Sequence, residues 1–266
     1  MCASSATNGR DLVVELAARG QYHFTSSEFR SALGVSAAAA NQSLWRLKRR
    51  GEIASPSRGF YVVVPPEYRA LGCLPADQFI PALMDHRGTS YYAGLLSAAQ
   101  YHGAAHHRPQ VFQVMVERSR SPTRCGMVQV EYISRTGLAA VPLCTFDNPR
   151  GTIFASSVEA TAIDLVGYMG RAGGIDRVAG MLLELSDQID PDLLAQAANS
   201  ASVRWAQRAG YLLEFVGAGD RCAPLRKHVQ ECARNYTRLV PSATANGAAR
   251  SRDWRLMVNA TVKAEA

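Results

Sequence analysis

The sequence predicts an α+β protein, in which an N-terminal winged helix-turn-helix domain is followed by a larger α+β domain with a small sheet and a helical half. Three observations carry that prediction. Residues 35–63 (VSAAAANQSLWRLKRRGEIASPSRGFYVV) have the pattern of a helix with an apolar face and a basic outer face, running into a short hairpin with a basic tip. Residues 110–117 (QVFQVMVE) and 127–134 (MVQVEYIS) alternate apolar and polar positions with period two, as half-buried strands do. Beyond Ser157 the spacing turns helical in one segment after another.

In chain order, residues 11–19 supply a first helix through Leu12, Leu16 and interleaved alanines. Thr25 caps a second helix over 26–33. Phe24 before that cap and Phe29 after it are placed to form a hydrophobic staple, and Gly34 is the turn residue that follows. Ser36 is the N-cap of the third helix, because its hydroxyl accepts from an unpaired first-turn N–H and the alanines behind it are strong helix formers. Ala40, Leu44 and Leu47 recur at i, i+4 and i+7 and face inward. Ala38, Gln42, Arg46 and Arg49 then project outward, with Asn41, Trp45 and Arg50 on the flanks. Gly51 tolerates the left-handed conformation that ends a helix. Residues 52–55 form one strand of the wing, Pro56-Ser57-Arg58-Gly59 its turn, and residues 60–64 a second strand rich in aromatic and β-branched side chains. Pro65-Pro66 stops it, which sets the expected division at 66: a DNA-binding domain over 1–66 and a second domain over 67–266.

In the second domain, residues 67–85 read as short apolar pieces around Pro75 and Pro81, and residues 91–101 (YYAGLLSAAQY) as a helix of small residues. The two alternating segments read as a β-pair joined by an extended, positively charged loop, SRSPTRCG. Residues 146–155 add a short strand around the turn Asn148-Pro149-Arg150-Gly151. Helices are expected over 158–169, 174–185, 192–199, 203–215 and 224–234, and residues 254–262 (WRLMVNATV) as a late strand returning to the sheet.

Composition narrows the classes. Of 266 residues, 47% are hydrophobic and 19% charged, an ordinary globular balance that excludes wholesale disorder. No apolar run reaches the length of a membrane span, and residues 1–10 are polar, so a soluble, cytoplasmic protein is expected. The net charge of +7 is uneven: +4 over 1–66, −3 over 67–220 and +6 over 221–266. An anionic partner is therefore expected at the two ends. The six cysteines form no C-x-x-C pair, which excludes zinc-finger spacing and leaves buried free thiols. His102 and His106 are spaced i, i+4 beside His107, but neither a catalytic Glu nor a third ligand accompanies them, so no metal is expected. The phosphate-cradling, dinucleotide and nucleophile-elbow glycine motifs are missing, so neither a cofactor nor catalytic residues are assigned. Asp164, Asp176 and Asp187 read as solvated or capping residues.

Four stretches together resemble the AbiEi-type antitoxin family of bacterial toxin–antitoxin systems: LWRLKRRGEI…RGFYVVVPPEY, FIPALM…SYYAGLLSAAQYHGAAHHRPQVFQV, the block beginning SSVEATAIDLV, and YTRLVPS…RDWRLMVN. The resemblance covers most of the chain after Asn8. It implies a winged-helix autorepressor that binds double-stranded DNA repeats in its own promoter, self-association on that DNA, and an α+β domain that counters a nucleotidyltransferase-type toxin, directly or indirectly.

Carried over by position, the DNA contacts are Ser36, Asn41, Gln42, Arg46 and Arg49 on the recognition helix, with Lys48, Arg50 and Arg58. Gln42 carries the donor and acceptor that pair with adenine, and Arg46 the fork that pairs with guanine. Lys48, Arg50 and Arg58 are assigned to phosphates, which position the protein without reading sequence. Two alternatives stay open: a second domain that modifies the toxin in the manner of an atypical kinase, and a ligand-responsive regulator without a toxin, with its pocket in the 89–116 region.

Overall fold

The computed structural model describes residues 8–104 and 110–263. It opens with α1 (Gly9–Ala18), β1 (His23–Thr25), α2 (Ser26–Leu33), α3 (Ala37–Arg49), β2 (Ile53–Ser57) and β3 (Phe60–Val63). The three strands form an antiparallel sheet in the order β1-β3-β2, completing a winged helix. Local chemistry explains each helix end. Thr25 accepts from the Glu28 N–H while the Glu28 carboxylate accepts from the Thr25 N–H at 2.7 Å, a reciprocal capping box. Phe24 and Phe29 stack across it with centroids 5.5 Å apart, as the staple predicts. Ser36 caps α3 by accepting from Ala39 N–H at 3.3 Å, and Gly34 and Gly51 both sit at positive φ where the chain turns.

The wing turn is tighter than the sequence suggests. The first strand continues through Pro56 and Ser57 while the second starts at Phe60 as expected, leaving Arg58-Gly59 as the turn, with a register shift between Ala54 and Ser57. Pro56, which has no N–H for a ladder, sits in that irregularity. The sheet is apolar on both faces: Ile53 and Val63 pack with Leu12, Phe29, Leu44 and Leu47, whereas Ala54, Phe60, Val62 and Val64 pack with Phe79, Ile80 and Leu83. This second contact explains the uninterrupted apolar run FYVVV, and burial of Phe60 and Val62 there contributes about 1.5–3 kcal/mol each.

The larger part continues with α4 (Ala76–His86), β4 (Tyr91–Ala93), α5 (Leu95–Tyr101), β5 (Val111–Val116), β6 (Arg120–Cys125), β7 (Val128–Ser134), β8 (Leu143–Asn148) and β9 (Gly151–Ser156). Then come α6 (Val158–Gly167), α7 (Ile175–Leu185), α8 (Pro191–Asn199), α9 (Val203–Phe215), α10 (Ala223–Cys232), β10 (Thr237–Arg238), β11 (Ala249–Ser251) and β12 (Leu256–Val258). A six-stranded mixed sheet runs β6-β7-β5-β4-β9-β8. Its two faces are visible within β5: Val114 and Val116 pack on the α4 side, while Met115 joins the helical core of α6–α10.

Several expectations change. Residues 67–85 are not merely short pieces, because α4 runs straight through Pro81. The Asp77 carbonyl, which an N–H at 81 would bond, accepts instead from Asn148 Nδ2 at 3.0 Å. Residues 91–101 split at Gly94 into β4 and α5, since β4 pairs with both β5 and β9. The charged connection is itself the edge strand β6, antiparallel to β7, while β5 and β7 run parallel. The late strand does not return to the main sheet; β12 forms a separate sheet with β10 and β11. Asp164 is neither solvated nor a side-chain cap. It is fully buried, accepting from Tyr92 Oη at 2.6 Å and from Arg135 Nε at 2.9 Å.

The C-terminal segment docks through Trp254, which is buried against Gly210 and donates to Glu214 Oε2 at 2.6 Å. A Cβ at 210 would lie 2.0 Å from Trp254 Cζ3. Gly210→Ala is therefore expected to cost about 1–3 kcal/mol through overpacking. A melting temperature unchanged from the parent protein would show that this contact yields freely. Among the described residues no helix is long and apolar enough to cross a membrane.

Candidate nucleic-acid interface

The winged helix buries one stripe of α3 and turns the rest outward. Ala40, Leu44 and Leu47 are 2%, 2% and 3% exposed, whereas Ser36, Asn41, Gln42, Arg46, Lys48, Arg49 and Arg50 are all exposed, as is Arg58 on the wing. At 100° per residue, Gln42, Trp45 and Arg49 form a line opposite the buried stripe, with Arg46 beside them. Among the described residues, none of Arg46, Lys48, Arg49, Arg50 and Arg58 forms an ion pair. Glu52, the acid nearest the basic run in sequence, is engaged 3.3 Å from Arg10. The outer face of α3 consequently carries unneutralised positive charge.

Two details were not drawn from the sequence. Trp45 is 59% exposed and lies under the Arg49 guanidinium, 5.3 Å from ring centroid to Cζ. This stacking restrains Arg49 and makes Trp45 part of the face; the i, i+4 spacing of Trp and Arg is the signal that marks it. Lys48 lies toward the larger part of the protein. The Cys125 thiol is held below its ordinary range first by a hydrogen bond with Cys73, and more weakly by the positive charge of Lys48.

Arg58 belongs to a different element from the other seven residues. The wing tip is tied to the start of α2, where Ser26 N–H donates to Gly59 O at 3.0 Å. The opposite side of the wing sheet meets the larger part, with Phe60 and His86 rings 5.4 Å apart and Arg150 stacked 3.4 Å over Tyr22.

Other candidates resolve differently. His102 Nε2 lies 2.7 Å from Ser156 O, within the fold, while His106 and His107 lie outside the described residues. Among the described residues, no three His, Cys, Asp or Glu side chains converge on a metal position. Cys73, Cys125 and Cys222 are buried free thiols, Cys144 is partly buried and Cys232 exposed. Burial pushes the Asp164 carboxyl up, with Arg135 and the Tyr92 hydroxyl pulling the other way. Arg135 also donates to Ser200 O at 2.9 Å and stacks on Trp205 at 4.9 Å, so this buried network has the connections of a structural support.

A winged helix whose basic outer face is unpaired among the described residues, joined to an α+β body, has the architecture of a winged-helix nucleic-acid-binding protein. Residues 11–64 match the family model described as a transcriptional regulator, AbiEi antitoxin, and residues 92–215 match the model of the AbiEi antitoxin C-terminal domain. The chain belongs to the AbiEi antitoxin family. Its fold is similar to that of the RV2827C protein from Mycobacterium tuberculosis, with a TM-score of 0.64 and 16% sequence identity over 92% of this chain and 89% of that one. At that identity the likeness concerns the fold alone. No curated protein matches the chain in sequence.

Proposed function

We propose that the protein represses its own operon by binding repeats in its promoter, and acts as the antitoxin to a nucleotidyltransferase-type toxin in the cytoplasm. Residues 1–66 read the DNA, and residues 67–266 present the surface that serves neutralisation and self-association on adjacent repeats. The observation that carries the reading is the cationic outer face of α3, whose arginines have no carboxylate partners among the described residues. Gln42 and Arg46 supply base-reading groups, Arg49 on Trp45 extends them, Ser36 and Asn41 stand at the edges, and Lys48, Arg50 and Arg58 hold phosphates.

Neutralising about six phosphates makes log affinity fall against log salt with a slope of about −5. A titration of the purified protein on its own upstream DNA over a range of salt concentrations measures it. A slope near zero would remove the phosphate contacts from the account. The two activities are also separable: Arg46→Ala with Arg49→Ala is expected to derepress a promoter reporter while still rescuing cells from the co-expressed toxin. Loss of rescue at wild-type protein levels would place neutralisation on the DNA-reading helix instead.

A further inference from the structure

The C-terminal end of the fold contains a second cationic feature, distinct from α3 in shape as well as position. A groove of about 550 Å³ lies between the first two turns of α9 and the chain running from Cys232 into β10. Arg204, Arg208, Arg234 and Arg238 line it, and among the described residues none that lines it is acidic. Among the described residues, none of the four arginines forms an ion pair. Backbone oxygens hold two of them instead. Arg208 Nε donates to Arg238 O at 2.8 Å, and Arg238 donates to the carbonyls of Pro241 and Ala243, each at 3.2 Å. Such contacts aim a guanidinium without cancelling its charge.

The electrostatics of the groove's lining are unfavourable in three ways. Arg208 is only 7% exposed yet has no carboxylate partner among the described residues, a costly state for a buried cation. Burial, aided by the charge of Arg204, holds Arg208 below the usual arginine range. Arg204 sits in the first turn of α9, where the helix dipole disfavours cations, with the like charge of Arg208 one turn further on, and the Ser202 cap makes no side-chain hydrogen bond. One bound anion relieves all three.

We propose that this groove binds a phosphorylated small molecule of nucleotide size. Arginine forks match phosphate oxygens, and the volume falls in the range of about 300–1,000 Å³ typical of small-ligand sites. Tyr236 lines the groove with Arg250 stacked 5.3 Å over its ring, adding an aromatic surface suited to a base. The recessed Arg208 suits a ligand that enters the groove, whereas a duplex backbone is met by exposed side chains such as those on α3. The larger cavity beside β7, about 710 Å³, has an acid in its lining, Glu131, and one of its three arginines, Arg171, pairs with it. The proposal does not depend on the operator reading.

The test is calorimetric titration of the full chain with ATP, GTP, pyrophosphate and inorganic phosphate at matched ionic strength, alongside Arg204→Ala/Arg234→Ala. Both replaced residues are exposed, so the variant should keep the parent melting temperature; Arg208→Lys serves as a second variant that retains the charge. Saturable nucleotide binding, tighter than that of inorganic phosphate and weakened about tenfold or more per arginine removed, is the expected result. No saturable binding, equal binding by the double variant, or inorganic phosphate binding as tightly as nucleotide would overturn it. So would displacement of the nucleotide by a short unrelated duplex whose own affinity falls equally in the double variant, since that assigns the groove to nucleic-acid phosphates.

Discussion

Replacing Asp164 by Ala is expected to lower the stability of the protein by about 3–5 kcal/mol, a large share of the roughly 5–15 kcal/mol typical of a folded domain. The substitution removes the carboxylate that accepts from Arg135 Nε and Tyr92 Oη, and strands a guanidinium that is itself 3% exposed. The stranded cation is the larger part of the cost. Replacing both charged partners, Arg135→Met with Asp164→Leu, is therefore expected to be less destabilising than Asp164→Ala alone. Denaturant midpoints of the two variants decide it. If the double variant is as unstable as the sum of the single ones, the network holds its place through shape and hydrogen bonding rather than through compensated charge. The network ties β4, α6 and the chain after β7 to the turn before α9, so its loss should loosen the helical core without touching α3.

Arg46→Ala and Arg49→Ala are each expected to reduce affinity for the cognate upstream DNA by about tenfold to a hundredfold, the value of a bidentate base contact, while leaving the melting temperature unchanged. Stability is spared because both side chains are exposed and pair with no carboxylate among the described residues. Trp45→Ala releases Arg49 from its stacked position and should give a smaller loss in the same direction. Lys48→Ala and Arg50→Ala, at positions proposed as phosphate contacts, are expected to weaken cognate and unrelated DNA alike, because such contacts carry no sequence information. Fluorescence anisotropy on the two DNAs distinguishes these outcomes. Equal losses on both DNAs for Arg46→Ala would demote Arg46 from base reading to phosphate binding.

The parts of the fold visible in the sequence are those set by local chemistry. Caps at Thr25, Ser36 and Ser157, the glycines after α2 and α3, and the apolar stripe of α3 each act within a few residues, so the winged helix and the later helices could be placed from pattern alone. What escaped depends on distant partners. β4 is three residues long and owes its existence to β5 and β9. β6 is mostly exposed and lacks alternation, so its charged residues looked like a loop. α4 tolerates Pro81 with help from Asn148, and Asp164 meets an arginine 29 residues away. The basic face of α3 was readable from a helical wheel, whereas the arginine groove joins positions 204, 208, 234 and 238 through tertiary structure.

If α3 reads the DNA upstream of this chain's own gene, as proposed, the purified protein distinguishes that DNA from other duplexes. A mobility shift of the purified protein on that upstream DNA, at two salt concentrations and against an unrelated fragment, tests it most directly. The expected result is a shift of the upstream fragment at protein concentrations that leave the unrelated one free, weakening as salt rises. Equal shifts of both fragments, or none at low salt, would contradict it.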